Sequence, residues 1–146
     1  MALKPQNSNV LNSNRKVVDW SLLFLWVLII TALSLLPGQK VAVGIFNFDQ
    51  ADKIFHFIFY FGFAILLFRL LYNTTMKIGN SLLIIAAVIP IVYSGIIELA
   101  QEYLVASRNA EFFDFAVNIA GAVAATIIYR FILRVEFNRF YTKELS

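Results

Sequence analysis

The chain has 146 residues, of which 60% are hydrophobic and only 14% are charged. Soluble proteins average about 45–50% apolar and about 25% charged residues, and a domain of this size cannot bury so much apolar surface. The composition therefore predicts a membrane protein and excludes an ordinary soluble domain. A formal net charge of +3 is too small to indicate nucleic-acid binding, and the lack of cysteine excludes disulfides and thiolate chemistry.

Four apolar segments follow one another along the chain, and we predict that each is a membrane-spanning helix. About 20 helical residues cross a hydrocarbon layer about 30 Å thick, and lipid offers no hydrogen bonds to an irregular backbone. The predicted spans are residues 20–36, 53–72, 81–104 and 113–133. They form one all-α domain over residues 19–133, between a mobile tail at 1–18 and a basic tail at 134–146. A cleaved signal peptide is the rival interpretation of the first span, but its small residues lie inside the apolar run, which favours a retained helix.

The distribution of charge predicts how the four spans are oriented. Nine of the twelve Lys and Arg residues fall in the two terminal segments and the connection between spans two and three. Basic residues accumulate on the cytoplasmic side of membrane proteins. We therefore expect both termini to be cytoplasmic, with six of the nine acidic residues on the outer side or in the outer leaflet.

Polar residues recur three or four positions apart on three of the predicted spans, and residues with this spacing share one helix face. The stripes are Asp52, His56 and Tyr60 on span two, Pro90, Ser94, Glu98 and Gln101 on span three, and Asp114, Asn118, Gly121 and Ala125 on span four. Ionisable side chains inside a membrane are costly and usually face the bundle interior. Since the topology brings the polar parts of the stripes to the outer third of the bilayer, we expect one polar pocket open toward the outer leaflet.

Each of these residues also has a purely structural interpretation. His56 is compatible with an interfacial histidine that contacts lipid headgroups, and Asp114 with an N-cap or dipole partner of the fourth helix. Glu98 lies too deep to reach water and needs a partner, which Arg108 or Lys53 could supply for structure alone. Asn118 is compatible with a hydrogen bond between helices.

Motifs for metal or cofactor chemistry are missing from the sequence. The chain has a single histidine and no HExxH pattern, so we predict no metal site. A Gly-rich phosphate loop and a nucleophile elbow are also lacking, so we predict no cofactor. The sequence leaves open whether the protein is an enzyme and what its oligomeric state is.

The polar stripes also carry a resemblance to a known family. Three segments of the sequence resemble the motifs of the VanZ-like family. They are Asp52-Lys53-Ile54-Phe55-His56-Phe57 with Tyr60-Phe61-Gly62; Ser94-xxx-Glu98-xx-Gln101 followed by Arg108; and Asp114-xxx-Asn118-xx-Gly121. Ser34-Leu35-Leu36-Pro37-Gly38 resembles that family's end of span one. The resemblance implies a small multi-pass protein of the bacterial cell (inner) membrane. One family member is associated with resistance to the glycopeptide antibiotic teicoplanin, but the family is tied to no known reaction.

These observations together predict a protein that binds or modifies an envelope lipid or a lipid-linked cell-wall component. The candidate catalytic residues are His56, Glu98 and Asp114, which could transfer protons. The candidate ligand-binding residues are Asp52, Lys53, Tyr60, Ser94, Gln101, Arg108 and Asn118, with the two basic residues holding anionic oxygens. The main alternative is a non-enzymatic structural or partner protein whose polar stripes only hold the bundle together. A proton-coupled transporter is disfavoured because the inner halves of the spans offer few polar groups.

Overall fold

The computed structural model describes residues 7–36, 51–75, 79–105 and 111–144, and the side chains within 13–36, 52–75, 79–105 and 111–132. These residues form four α-helices: α1 (Asn7–Leu35), α2 (Ala51–Thr75), α3 (Asn80–Leu104) and α4 (Phe112–Glu144). No strand occurs in this part of the chain. The prediction of an all-α protein with four long helices is confirmed.

All four helices are long and apolar enough to cross a membrane, over 21 to 25 residues each. The segments are Ser13–Leu35, Asp52–Thr75, Asn80–Leu104 and Phe112–Ile132. Their outer surfaces carry large apolar side chains such as Phe24, 70% exposed, and Ile127, 62% exposed. Because water would penalise this much exposed apolar area, the surroundings that suit the bundle are lipid.

Two helices extend beyond the predicted spans. The first begins at Asn7, inside the segment for which the sequence predicts a mobile tail. The last continues to Glu144, past the predicted end of span four. The predicted boundaries rest on where the apolar run stops, and a helix can continue into polar sequence beyond that point.

Consecutive helices run antiparallel, and α2 and α3 each contact both α1 and α4. At one end, the Gln101 side-chain amide donates to the Ser34 carbonyl at 2.9 Å, which joins the end of α3 to the end of α1. The starts of α2 and α4 lie at this same end, which we call the His56 end. The opposite end, where α1 begins and α2 ends, we call the Asp19 end. The up-down order places the start of α1 and the end of α4 together at the Asp19 end.

The closest helix packing lies between α2 and α4. A methyl group added at Gly121 would overlap the Phe57 carbonyl oxygen and would lie 3.1 Å from the Phe61 nitrogen. Nearer the Asp19 end, the interface continues with Ala64 and Ala122, both buried. Small residues allow helix backbones to approach, which is a main source of stability between helices in lipid. This packing fixes the position of α4 against α2 one turn away from Asn118.

Aromatic and aliphatic side chains hold α1 against α2. The indole of Trp26 donates to the Phe59 carbonyl at 2.9 Å and lies over Gly62, where a Cβ atom would be 2.7 Å from the ring. Ile30 is fully buried in the same cluster. These contacts fix the position of α1 along α2, and Ser34 therefore lies at the His56 end.

An ion pair between a buried aspartate and a half-exposed arginine joins α1 to α2 at the Asp19 end. The Arg69 Nε atom lies 2.8 Å from Asp19 Oδ1, and the Asn73 side-chain amide donates to Asp19 Oδ2 at 2.6 Å. Asp19 is almost completely buried, whereas the Arg69 side chain is 48% exposed. The group therefore ties α1 to α2 at a depth where an isolated carboxylate would be costly.

Candidate functional site

Asn118 is the centre of a buried polar cluster that joins three helices at the His56 end. Its side-chain nitrogen donates to Ser94 Oγ at 2.8 Å and to Glu98 Oε1 at 3.3 Å, both on α3. Its side-chain oxygen lies 3.1 Å from His56 Nδ1 on α2. All four residues are at least 94% buried. The amide of Asn118 thus uses both of its ends to connect α4 to α2 and α3.

These contacts determine which nitrogen of His56 carries a hydrogen. The NH2 group of Asn118 donates to Ser94 Oγ and Glu98 Oε1, so it lies on the α3 side of the amide. The Asn118 oxygen then faces His56 and accepts a hydrogen bond from Nδ1–H. This assignment follows from the hydrogen-bond network. The other ring nitrogen, Nε2, is directed away from Asn118 toward two carboxylates.

The carboxylates of Asp52 and Asp114 face Nε2 of His56. Nε2 lies 3.9 Å from Asp52 Oδ2 and 3.6 Å from Asp114 Oδ2. The three ligand atoms all lie within 4.8 Å of one another, so these residues could hold a metal ion. Asp114 is buried, whereas the Asp52 side chain is 49% exposed and forms the outer edge of the group.

Helix geometry explains why the two aspartates lie where they do. Asp52 is in the first turn of α2, and Asp114 is in the first turn of α4. The N-terminal turn of a helix favours negative charge because its free backbone N–H groups point along the axis, out of the helix end. Asp114 is therefore a dipole partner inside α4 rather than its N-cap. His56 follows Asp52 by four residues and so lies on the same face of α2.

The remaining predicted site residues lie on the same side of the bundle, at different depths. Tyr60 is buried one turn deeper than His56, and its hydroxyl lies next to Ser94. Gln101 is buried at the end of α3 and bonds to α1 through the Ser34 carbonyl. Lys53 places its Nζ atom 5.9 Å from the centre of the Phe113 ring, a cation–π contact at the rim. Arg108 lies outside the described residues.

A membrane-facing groove runs along the polar cluster between α3 and α4. Its volume is about 460 Å³. The walls are mostly apolar, with Ile96, Leu99 and Phe115 among them, and Gly95 leaves room in its floor. Glu98 also lines this groove. The polar cluster and the apolar groove therefore share one carboxylate.

The structure brings together six of the predicted residues in one network: Asp52, His56, Ser94, Glu98, Asp114 and Asn118. Sequence reasoning overlooked the group around Asp19 at the other end and the Ser34 carbonyl as a partner of Gln101. A signal for the first was available, since Asp19 adjoins an apolar run and Arg69 lies inside another. A backbone carbonyl carries no such signal, because every residue has one.

Fold and site define a class of protein: a multi-pass, four-helix membrane protein with a buried polar cluster at one end of the bundle. The chain belongs to the VanZ/LLP1 family, whose model matches residues 3–134. This match confirms the resemblance seen in the sequence motifs. The chain matches no curated protein and no solved structure.

Proposed function

We propose that this VanZ-like protein binds an envelope lipid or a lipid-linked cell-wall component. The polar head of the ligand would lie at the cluster around Asn118, and its apolar chain would lie in the groove between α3 and α4. Lys53 and Arg108 would hold anionic oxygens of the head. If the protein also modifies its ligand, His56, Glu98 and Asp114 are the residues that would transfer protons.

One observation carries this proposal: Glu98 belongs both to the buried polar cluster and to the wall of the membrane-facing groove. A carboxylate at membrane depth is costly, and such groups usually mark function. The groove beside it has a volume of about 460 Å³ and is lined mostly by the apolar side chains that an acyl or isoprenoid chain prefers. A polar and an apolar compartment that meet at one residue match the two parts of an amphiphile.

We further propose that the His56 end faces the cell exterior and that the protein resides in the bacterial inner membrane. Nine of the twelve basic residues lie in the terminal segments, in the connection between α2 and α3, or near the helix ends that adjoin them, which favours a cytoplasmic position for the Asp19 end. The antiparallel order of the helices agrees with this arrangement, because it puts those three segments at one end. The cluster would then be accessible to lipids of the outer leaflet.

A pair of groove-filling variants tests the proposal. Gly95→Leu places a side chain in the groove without altering any polar group of the cluster. Ala87→Leu is a matched control on the same helix, since Ala87 lines a second groove of about 410 Å³ near Asn80 and Arg130. Each protein is purified from membranes in mild detergent, and its bound lipids are identified by mass spectrometry.

We expect wild type and Ala87→Leu to retain the same enriched lipid species. Gly95→Leu should bind at least tenfold less of this lipid per protein. Equal lipid profiles for all three proteins would refute the groove as a binding site. Thermal unfolding of each protein by circular dichroism checks that the variants are folded. A teicoplanin susceptibility assay in cells that express the wild type then measures whether binding is linked to resistance.

A structural role is the second candidate, and the hydrogen bonds by which Asn118 connects α4 to α2 and α3 favour it. Polar contacts between membrane helices contribute about 0.6 kcal/mol on average and about 2 kcal/mol at most, which is enough to fix helix register. In that case Glu98→Gln reduces the amount of folded protein and leaves the lipid profile unchanged. Under the binding proposal the same variant is expressed and folded but loses the enriched lipid and any cellular phenotype.

A further inference from the structure

The group formed by Asp52, His56 and Asp114 is a second chemical feature of the His56 end, distinct from the groove. One imidazole nitrogen and two carboxylate oxygens from two helices converge within 4.8 Å of one another. His56 and Asp114 are buried, and Asp52 closes the group toward the helix ends. Nitrogen and oxygen ligands in this combination are those that bind zinc and similar divalent metals in proteins.

The hydrogen bond that His56 donates to Asn118 gives the histidine the tautomer that metal ligation requires. Histidines that bind metals nearly always donate their other ring N–H to an oxygen, which fixes the tautomer and the ring orientation. Here Nδ1–H donates to the Asn118 oxygen at 3.1 Å, and Asn118 is itself held by Ser94 and Glu98. With Nδ1 as the hydrogen-bond donor, Nε2 is the ring nitrogen that can bind a metal, and it faces both carboxylates.

Distances within the group fit a cation between the three ligand atoms. Metal–ligand bonds of about 2.0–2.2 Å in a tetrahedral site place neighbouring ligand atoms about 3.4 Å apart. The two distances from Nε2, 3.6 Å and 3.9 Å, are longer by only a few tenths of an ångström. Both exceed a normal N–H···O hydrogen bond. The third distance, between the two aspartate oxygens, is at most 4.8 Å, and metal binding would draw these oxygens together.

We propose that Asp52, His56 and Asp114 bind one divalent transition-metal ion of the zinc type. Three protein ligands leave a fourth position open for water or an anionic oxygen, as in catalytic zinc sites. The sequence predicted no metal because the chain has a single histidine and no HExxH pattern; the third ligand, Asp114, comes from another helix. This inference does not depend on the proposed lipid ligand, since the site is defined by protein groups alone; with a metal bound, Glu98 is the one of the three proposed proton-transfer residues that is not a ligand.

The test uses Co²⁺ and Zn²⁺ alone with the purified full chain. The protein carries an affinity tag without histidine, because His56 is the single histidine of the chain. After treatment with a chelator, Co²⁺ is titrated and its visible absorption is recorded; Zn²⁺ is then added to displace it. Ligand variants are Asp114→Asn and Asp52→Asn, and Asn118→Leu removes the positioning residue. Glu102→Gln, an exposed acid on the same end of the bundle, is the control.

We expect the protein to bind one equivalent of Co²⁺, with the visible absorption bands that four- or five-coordinate Co²⁺ gives. Zn²⁺ should displace the Co²⁺, and bound metal should raise the unfolding temperature. Outer partners of ligating histidines affect affinity about 10–100-fold, so Asn118→Leu should weaken binding by about that factor and the ligand variants by more. Glu102→Gln should bind like wild type. Absence of stoichiometric binding by the folded wild type, or unchanged binding by Asp52→Asn and Asp114→Asn, would overturn the site and leave His56 in a simple ion pair with the two aspartates.

Discussion

Replacing Gly121 by alanine tests the close approach of α2 and α4 that positions Asn118 against His56. The added methyl group would overlap the Phe57 carbonyl oxygen and crowd the Phe61 nitrogen at 3.1 Å. Both neighbours are backbone atoms, which cannot rotate away as a side chain could. The two helices must therefore separate by about 1 Å to restore ordinary van der Waals contact.

The expected cost follows from this separation. Overpacking a tight interface destabilises proteins by about 1–3 kcal/mol, and here the whole contact around Ala64 and Ala122 loosens with it. A Gly→Ala change also favours the helix itself by about 1 kcal/mol. Gly95→Ala is the matched control, because it gains the same propensity while its methyl group makes an ordinary 3.6 Å contact with Phe115.

We expect Gly121→Ala to unfold with a free energy about 1–3 kcal/mol lower than Gly95→Ala. The assay is reversible unfolding in mixed detergent micelles, followed by far-ultraviolet circular dichroism at increasing denaturing detergent. Gly95→Ala should be as stable as wild type or slightly more stable. Equal stabilities for the two alanine variants would show that α2 and α4 are not in backbone contact at Gly121, and the geometry of the cluster would lose its main support.

Three further outcomes are expected. Asp19→Ala should lower the free energy of unfolding by about 1–3 kcal/mol, because Asn73 and Arg69 lose their acceptor; unfolding in detergent measures it, and a change below about 0.5 kcal/mol would contradict a structural role for the Asp19 group. Glu98→Gln should abolish any effect of the protein on teicoplanin susceptibility while the amount of folded protein stays at the wild-type level, and a wild-type effect of that variant would count against the binding proposal. Single cysteines at Asn47 and Asn109 should react with an impermeant reagent from outside intact cells, whereas cysteines at Asn9, Asn80 and Ser146 should not; the native chain contributes no cysteine, and the reverse pattern would invert the topology.

The polar stripes were predictable because lipid makes their alternative positions expensive. A buried carboxylate such as Glu98 must face the bundle interior, and helical spacing then fixes which neighbours share its face. When consecutive spans are antiparallel, the first residues of one helix lie beside the last residues of the next helix. The meeting of His56, Glu98 and Asn118 thus follows from spacing and topology without any knowledge of atomic contacts.

Other features could not be predicted because they depend on relative helix rotation and register. The sequence indicates that Asn118 has partners, but only the packed backbone selects His56 on one side of its amide and Glu98 on the other. The groove arises from the space between α3 and α4, which no local pattern encodes. The pairing of Asp19 with Arg69 joins residues 50 positions apart. The sequence indicates only that both lie on the predicted cytoplasmic side, and it does not indicate that they form a pair.

The tautomer of His56 is the most direct test of the cluster, and the chain is suited to its measurement because it has one histidine. Labelling with histidine that carries ¹⁵N only in the ring gives only the two ring-nitrogen signals, and both belong to His56. We predict that Nδ1 carries the hydrogen in the wild type and that Asn118→Leu removes this preference, while Glu102→Gln leaves it unchanged. A wild-type ring protonated only on Nε2, or one that does not respond to loss of the Asn118 amide, would contradict the arrangement of helices on which the proposed functions rest.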